Sequence, residues 1–192
     1  MSGASAYIKI PRDRIGALIG PNGCVKENIE KRLSVELQID SETGDIVITL
    51  NPTAQDPSLL FRSKEVITAI GRGFSPERAF RLLKDDEATL KVIDLREIVG
   101  RSPSDIKRLK GRVIGKEGKT RRIIEELTDA SISVYGHTIS IIGNMDQAEA
   151  AGEAVQMLMR GSQHSTVYRF LHKKRRELKK KRMELWETRM PS

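Results

Sequence analysis

The sequence has little of what a disulfide framework, a membrane span or a redox centre would need. One of its 192 residues is a cysteine, Cys24, so an internal disulfide is excluded. No apolar run is long enough to cross a bilayer. The opening residues, MSGASAYIKIP, lack the basic and then apolar pattern of a secretory signal. We therefore expect a cytoplasmic protein without membrane contact, in which Cys24 is a small, semi-buried residue with no redox role.

Residue patterns typical of catalytic and metal centres are also missing. His164 and His172 have no partners at metal-ligand spacing, and Cys24 has no second cysteine. The sequence contains no phosphate-binding GxxxxGK[ST] loop, and its carboxylates do not cluster as ligands of a two-metal nuclease would. We expect a binding protein rather than an enzyme, with no metal and no cofactor.

Positive charge is abundant and unevenly placed. The net charge of +8 comes from 34 basic and 26 acidic residues. From Arg169 to Ser192 there are ten Lys or Arg and three Glu, so the chain before Arg169 is about neutral as a whole. Within it, Ser104 to Arg122 holds eight basic residues against two acidic ones. These two concentrations favour a polyanionic partner.

The chain contains a duplicated segment. GALIGPNGCVKENIE from Gly16 matches GRVIGKEGKTRRIIE from Gly111 at a constant offset of 95 residues, and both copies carry an Ile-Gly-x-x-Gly loop. The identical positions are Gly16, Ile19, Gly20, Gly23, Ile29 and Glu30 in the first copy and Gly111, Ile114, Gly115, Gly118, Ile124 and Glu125 in the second. A repeated module is indicated.

Both copies lie within the same predicted order of elements: strand, helix, helix, strand, strand, helix. The fold class is therefore α+β, with each module a three-stranded sheet packed on three helices. We predict a first domain over 4–83, including a linking helix at 75–83, a second over 86–161, and a basic C-terminal helix over 162–192. In the second domain, Ser104 is expected to cap the helix that leads to the glycine loop, and Gly136 and His137 to form the hairpin turn.

The glycines of the loop and the cations around them both destabilise a helix that has no bound partner. Glycine in a helix interior costs roughly 1 kcal/mol relative to alanine, and Lys119, Arg121 and Arg122 follow Gly118 at a helix N-terminus, where cations are disfavoured. A tight turn relieved by pairs such as Arg121 with Glu125 is one explanation. Close approach of the loop backbone to a phosphate chain explains both features together.

The candidate RNA-binding residues follow from this hypothesis. In the second copy they are Arg108, Lys110, Arg112, Gly115, Lys116, Glu117, Gly118, Lys119, Arg121 and Arg122, and in the first Gly20, Pro21, Asn22, Gly23 and Lys26. The first loop carries no charge, and Pro21 has no amide hydrogen, so we expect weaker RNA contact there. The C-terminal helix is either a basic arm on RNA or a solvated helix packed by a narrow face, and the two are compatible. Trp186 is expected to be a packing anchor.

The loop between two helices, followed by a hairpin and a third helix, resembles the type I KH domain, which binds single-stranded nucleic acid. The segments AIGRGFSPERAFRLLKDD and DIKRLKGRVIGKEGKTRRIIEELTDASI, and ISIIG followed by LMRGSQHSTVYRFL, resemble the archaeal branch of the partner-of-Nob family of tandem KH proteins. The resemblance implies binding to small-subunit (16S-type) ribosomal RNA near its 3′ end and a role in rRNA processing during ribosome biogenesis. It also implies, as partners, the Nob-family endonuclease and other pre-small-subunit factors.

Two alternatives remain from the residues alone: a protein-interaction scaffold built on degenerate KH folds, and a general mRNA-binding KH protein. Glycines retained in both loops argue against complete degeneracy. In the eukaryotic branch of the family the first domain generally lacks this loop, whereas Gly20 to Gly23 retains it here.

Overall fold

The computed structural model describes residues 4–54 and 56–189, without the side chains of 181, 182 and 185–189. The chain divides into two units, one up to Leu90 and one from Lys91 onward. The strand Thr89–Asp94 spans this boundary and is described with the second unit, whose sheet it joins. No helix among the described residues is long and apolar enough to cross a membrane.

The first unit is an antiparallel sheet with helices on one side. Its elements are β1 (Ser5–Lys9), α1 (Ile15–Ile19), α2 (Cys24–Leu33), β2 (Val35–Ile39), β3 (Asp45–Leu50), α3 (Ser58–Gly71), α4 (Pro76–Ala79) and α5 (Arg81–Lys84). Short 3-10 turns precede α1 and α2. The strand order is β1-β3-β2. Side chains of β2 and β3 alternate as a half-buried strand requires, so that Leu37, Ile46 and Ile48 are buried while Glu36 and Gln38 are exposed.

The second unit repeats this order and adds a long helix. Its elements are β4 (Thr89–Asp94), α6 (Arg96–Val99), α7 (Pro103–Ile114), α8 (Lys119–Thr128), β5 (Ser131–Tyr135), β6 (Thr138–Gly143), α9 (Met145–Met159) and α10 (His164–Arg189). The strand order β4-β6-β5 places β5 at an edge. The core joins these helices to the sheet through residues such as Leu109, Ile124, Ile139 and Leu158, and α6 contributes the partly buried Val99.

The predicted α+β class and the duplicated strand-helix-helix-strand-strand-helix order are confirmed. The hairpin turn at Gly136 and His137 is also where the sequence predicts it. The linking helix starts with Ser75 as N-cap and Pro76 in its first turn, as expected, but it breaks at Phe80 into α4 and α5.

Two local expectations are wrong, and one short helix was not predicted. The helix before the second loop is capped by Ser102 and not by Ser104: Pro103 takes the first helical position, and the Asp105 amide donates to Ser102 Oγ at 3.4 Å. Cys24 is exposed rather than semi-buried, because the first turn of α2 presents it to solvent next to the loop. The short helix α6 follows β4 directly, and the sequence pattern did not predict it.

The C-terminal helix belongs in part to the second core. Val167 and Leu171 are fully buried there, although both lie beyond the predicted domain end at 161. Further along, Lys174 is fixed by Glu153 at 3.3 Å and lies over the ring of Phe170. The expected packing of a narrow apolar face is therefore present in the first turns of α10. The expectation for the Trp186 side chain falls outside the described part of the structure.

Candidate nucleic-acid interface

The two glycine loops have the same backbone conformation. Gly20 and Gly115 have φ/ψ of 73°/175° and 72°/177°. Gly23 and Gly118, which end the loops, have φ of 80° and 76°. The duplication seen in the sequence is therefore also a duplication of loop geometry.

The first glycine of each loop is required by its surroundings. A Cβ at Gly20 would collide with the side chain of Val25, and one at Gly115 would collide with Thr120, whose backbone nitrogen would lie 2.8 Å away. A Cβ at Gly118 meets open space, so this glycine is required by its positive φ alone.

A third loop position also has a left-handed backbone. It is Asn22 in the first loop (φ 50°) and Glu117 in the second (φ 54°). Asparagine tolerates this conformation, whereas a residue such as glutamate adopts it at a cost of roughly 1–2 kcal/mol. The second loop therefore holds an exposed, charged residue in a strained conformation at its tip.

The helices that follow the loops begin without side-chain caps. Gly23 precedes α2 and Gly118 precedes α8, and neither supplies an acceptor for the first amides. By contrast, α7 is capped by Ser102 and α9 by Asn144, the latter in a reciprocal capping box with Gln147. An uncapped helix N-terminus at the surface offers amide donors and a positive dipole end to an anion.

Two cations flank the uncapped start of α8. Lys116 and Lys119 are exposed, and neither has an ion-pair partner within the described residues. Arg122, also exposed, donates to the Glu117 carbonyl oxygen at 3.2 Å and so supports the loop from its own helix. In the described part of the chain, Lys116 and Lys119 are therefore unpaired cations beside the loop, and the exposed Glu117 is the one acidic side chain between Gly115 and Gly118.

Other candidate residues in the second unit make internal contacts. The Lys110 ammonium donates to the Gly136 carbonyl oxygen at 2.9 Å and thereby holds the hairpin turn. Arg112 donates to the carbonyl oxygens of Leu158 and Ser162 at 2.9 and 2.6 Å. Their assignment as RNA ligands stays a prediction, and the structure gives both a structural role.

Arg108 and Arg121 also face carboxylates. Arg108 pairs with Asp105 at 3.2 Å on the exposed side of α7. Arg121 lies 4.0 Å from Glu125. This is the pair that the sequence suggested as an offset for cations at the N-terminus of this helix. The Arg108 pair is exposed and therefore weak, so this guanidinium group can exchange its partner when a phosphate arrives. Arg121 is less available, because Glu125 is largely buried.

The first loop differs in charge and not in shape. Pro21 and Asn22 are exposed at its tip, and the Lys26 ammonium lies 3.8 Å from Glu30 on the following helix. The first loop therefore offers the same backbone geometry as the second without a free cation at its tip.

A fixed carboxylate, that of Asp94 at the end of β4, lies beside the hairpin turn of the second unit. Asp94 accepts hydrogen bonds from Arg96, chiefly from its guanidinium, which lower the Asp94 pKa to about 2. His137 lies 3.7 Å from the same carboxylate and is half-buried. His137 is thus oriented by Asp94 at the turn that flanks β5.

Three residues that sequence reasoning missed support the second loop through hydrogen bonds at the helix ends beside it. Thr120 and Tyr168 share a hydrogen bond of 3.1 Å, and His164 Nε2 donates to the Arg112 carbonyl oxygen at 3.0 Å. The only available signal was that Thr120 stands where the first copy has Val25.

Two modules with a glycine loop between helices, an uncapped following helix and an adjacent edge strand define a tandem KH-domain protein, a class that binds nucleic acid. No group of His, Cys, Asp or Glu in the described residues is arranged to hold a metal ion. Family models agree with this class: residues 89–176 match the eukaryotic-type KH domain (KH-domain type I), and residues 5–56 match the KH domain.

Similar proteins narrow the class to one family. The chain is 48% identical to a KH domain-containing protein of Methanocaldococcus jannaschii, over 94% of this chain and 78% of the relative. It is 26% identical to the pre-rRNA-processing protein PNO1 of Saccharomyces cerevisiae over 85% of this chain, and the match spans 60% of the yeast protein. The chain belongs to the PNO1-like family of tandem KH-domain proteins, in its archaeal branch.

Solved structures give the same result. A protein of unknown function from Aeropyrum pernix has a TM-score of 0.90 at 41% identity, covering 98% of this chain and 99% of that one. A chain from the a/eIF2α–aDim2p–rRNA complex of Pyrococcus horikoshii has a TM-score of 0.84 at 46% identity, covering 91% and 95%. The family resemblance predicted from the sequence is confirmed.

Proposed function

We propose that this protein binds single-stranded small-subunit ribosomal RNA, near its 3′ end, and acts in rRNA maturation during ribosome assembly. The observation that carries the proposal is the second loop: a strained, exposed turn between Gly115 and Gly118, opening an uncapped helix and flanked by the free cations Lys116 and Lys119. The uncapped helix start and the unpaired cations are unfavourable without an anion, and a phosphate chain compensates both.

The choice of ribosomal RNA is supported by relatives. The yeast relative is a pre-rRNA-processing protein, and the Pyrococcus relative was crystallised with rRNA. On family grounds, the Nob-family endonuclease and other pre-small-subunit factors are the proposed protein neighbours, in the cytoplasm.

The groove beside the second loop supplies the sequence preference. The half-buried Ile114 ends α7 at the loop, and the edge strand β5 follows α8, the helix that leaves the loop. A groove of this kind holds unstacked bases against an apolar floor and a strand edge, which a duplex cannot enter. We therefore expect unstructured RNA to bind more tightly than duplex RNA.

The test is RNA titration of variants with one loop changed at a time. Lys116→Asp combined with Glu117→Asp should weaken binding by at least about tenfold, since the change at 116 replaces a cation by a second carboxylate beside the one already present at 117. The fold should persist, because both side chains are exposed and aspartate tolerates the left-handed conformation at 117.

The matched control is Pro21→Asp combined with Asn22→Asp in the first loop, which has the same backbone and no cation. It should weaken binding less. If the first-loop change were the more damaging, the ranking of the two loops would be reversed. Crosslinking the intact protein to total cellular RNA tests the choice of RNA, and adducts scattered over messenger RNA would overturn the ribosomal assignment.

A second role, protein contact by the first unit, is favoured by its uncharged loop and by the presence of a/eIF2α in the complex of the Pyrococcus relative. Pull-down of a/eIF2α by the intact protein and by each loop variant tests it. Retention by the second-loop variant and loss by the first-loop variant would support this role.

A further inference from the structure

The second loop rests on a hydroxyl pair that links it to the C-terminal helix. Thr120, in the first turn of α8, is 3% exposed, and its Oγ1 lies 3.1 Å from the hydroxyl of Tyr168 on α10. The same threonine is the residue that a Cβ at Gly115 would strike. Tyr168, Thr120 and Gly115 therefore form a continuous series of contacts from α10 to the start of the loop.

The other side of the loop is tied to the same region. His164, in the first turn of α10, donates from Nε2 to the carbonyl oxygen of Arg112 in the last turn of α7. The guanidinium of Arg112 in turn donates to carbonyl oxygens of Leu158 and Ser162, at and just beyond the end of α9. Both helix ends that flank the loop are thus held by the α9–α10 junction and the first turns of α10.

The first unit supplies an internal comparison. There Arg14 donates to the carbonyl oxygens of Ile70 and Phe74 at 2.8 and 2.7 Å, which reproduces the Arg112 anchor. At the position of Thr120, however, the first copy has Val25, which has the same shape without a hydroxyl. The hydroxyl link is a property of the module whose loop carries the cations.

The geometry points to Tyr168 and Thr120 as positioning residues that hold the second glycine loop in its RNA-binding conformation, so that the start of the C-terminal helix is a working part of the second KH site. This inference rests on the proposed function, because it assigns a role in RNA binding at the same loop. A strained loop needs such support. Glu117 has a left-handed backbone conformation, which relaxes if the residues that support the loop move.

Thr120→Val reproduces the first copy, and Tyr168→Phe removes the partner hydroxyl. Each should weaken binding of the intact protein to single-stranded RNA by about threefold to tenfold, the range for removal of a neutral hydrogen bond. The double variant should bind no more weakly than the weaker single variant, because the two changes remove one shared interaction. Thr120→Ser, which keeps the hydroxyl, should restore binding to within about twofold of the parent.

The control for a general loss of stability is Thr128→Val. It removes a buried hydroxyl from the opposite end of α8, where Thr128 donates to the Ile124 carbonyl oxygen at 2.7 Å. This variant should lower thermal stability and leave RNA affinity within about twofold of the parent. Amide NMR signals of Gly115 and Gly118 in the free protein should shift in the Thr120 and Tyr168 variants and stay unchanged in the control.

Three results would overturn the inference. Additive effects in the double variant would make Tyr168 a direct RNA ligand, unchanged glycine signals would show that the loop does not depend on the pair, and unchanged RNA affinity in both single variants would remove the positioning role. If the parent protein bound no RNA while the glycine signals shifted as expected, the proposed function would fail and the structural link would stand.

Discussion

The carboxylate of Glu125 accepts a hydrogen bond from the backbone amide of Ile132 at 2.7 Å. Ninety-five residues earlier, Glu30 accepts one from the amide of Leu37 at 2.8 Å. In both units the acceptor is on the helix after the glycine loop and the donor is on the edge strand of the sheet. The repeated glutamate therefore accepts a hydrogen bond from an amide of the edge strand and joins that strand to the helix after the glycine loop.

Replacing this glutamate should destabilise the second unit. Glu125→Ala leaves the Ile132 amide without its acceptor in a half-buried position, which should lower the free energy of unfolding by about 1–3 kcal/mol. Glu125→Gln keeps an acceptor oxygen and should cost less. Urea unfolding followed by signals from the second unit measures the difference.

The neighbouring Glu126→Ala is the matched control, because that side chain is exposed on the same helix. It should change stability by no more than about 0.5 kcal/mol. Equal effects of the alanine changes at 125 and 126 would show that the edge amide is satisfied by solvent.

The overall fold was predictable from the sequence because it rests on local patterns and a duplication. Alternating apolar residues predict the strands, and the constant offset predicts two copies of one element order. The glycine loop was predictable for the same reason, since its glycines recur at identical spacing.

The supporting contacts were not predictable because they depend on which residues the fold brings together. Arg112 and Lys110 belong to a basic cluster in the sequence, but in the folded chain they donate to carbonyl oxygens 46 and 26 residues away. The Ser102 cap was missed because Ser104, two residues later, is an equally suitable N-cap residue in the sequence. Burial of Leu171 similarly depends on the path of α10 along α8 and α9.

The two glycines of the second loop should respond differently to alanine. Gly115→Ala adds a steric collision with Thr120 to the cost of a positive φ, whereas Gly118→Ala incurs the conformational cost alone. We expect Gly118→Ala to cost about 1–2 kcal/mol of stability and Gly115→Ala at least about 1 kcal/mol more. Thermal unfolding checks the order, and RNA titration should show weakened binding in both.

Gly111→Ala provides the control for this pair. Gly111 lies inside α7 with helical φ and with open space where a Cβ would be, so alanine there should stabilise the helix by about 0.5–1 kcal/mol. A larger loss at Gly118 than at Gly115 would mean that contact with Thr120 does not restrict the loop.

The basic arm of α10 should contribute affinity without sequence preference. Arg175 and Arg176 are exposed, whereas the nearby Lys174 is held by Glu153 and Phe170. A row of exposed guanidinium groups reaches phosphates rather than base edges, so Arg175→Ala combined with Arg176→Ala should weaken binding to all single-stranded RNAs by a similar factor. Substitution is the cleaner test than truncation near Tyr168, which would also remove the fully buried Leu171 from the core.

The salt dependence of the same variant identifies the mechanism. For each phosphate that the variant no longer neutralises, the slope of log affinity against log salt should become shallower by about 0.7 for a single strand. Thermal unfolding should be unchanged, since neither side chain is buried. The second-loop aspartate variant should instead reduce discrimination among single-stranded sequences, because we propose that bases are held beside this loop, at Ile114 and β5. An arginine variant that lost sequence discrimination while keeping the parent's salt slope would place base recognition on α10 and contradict this division of roles.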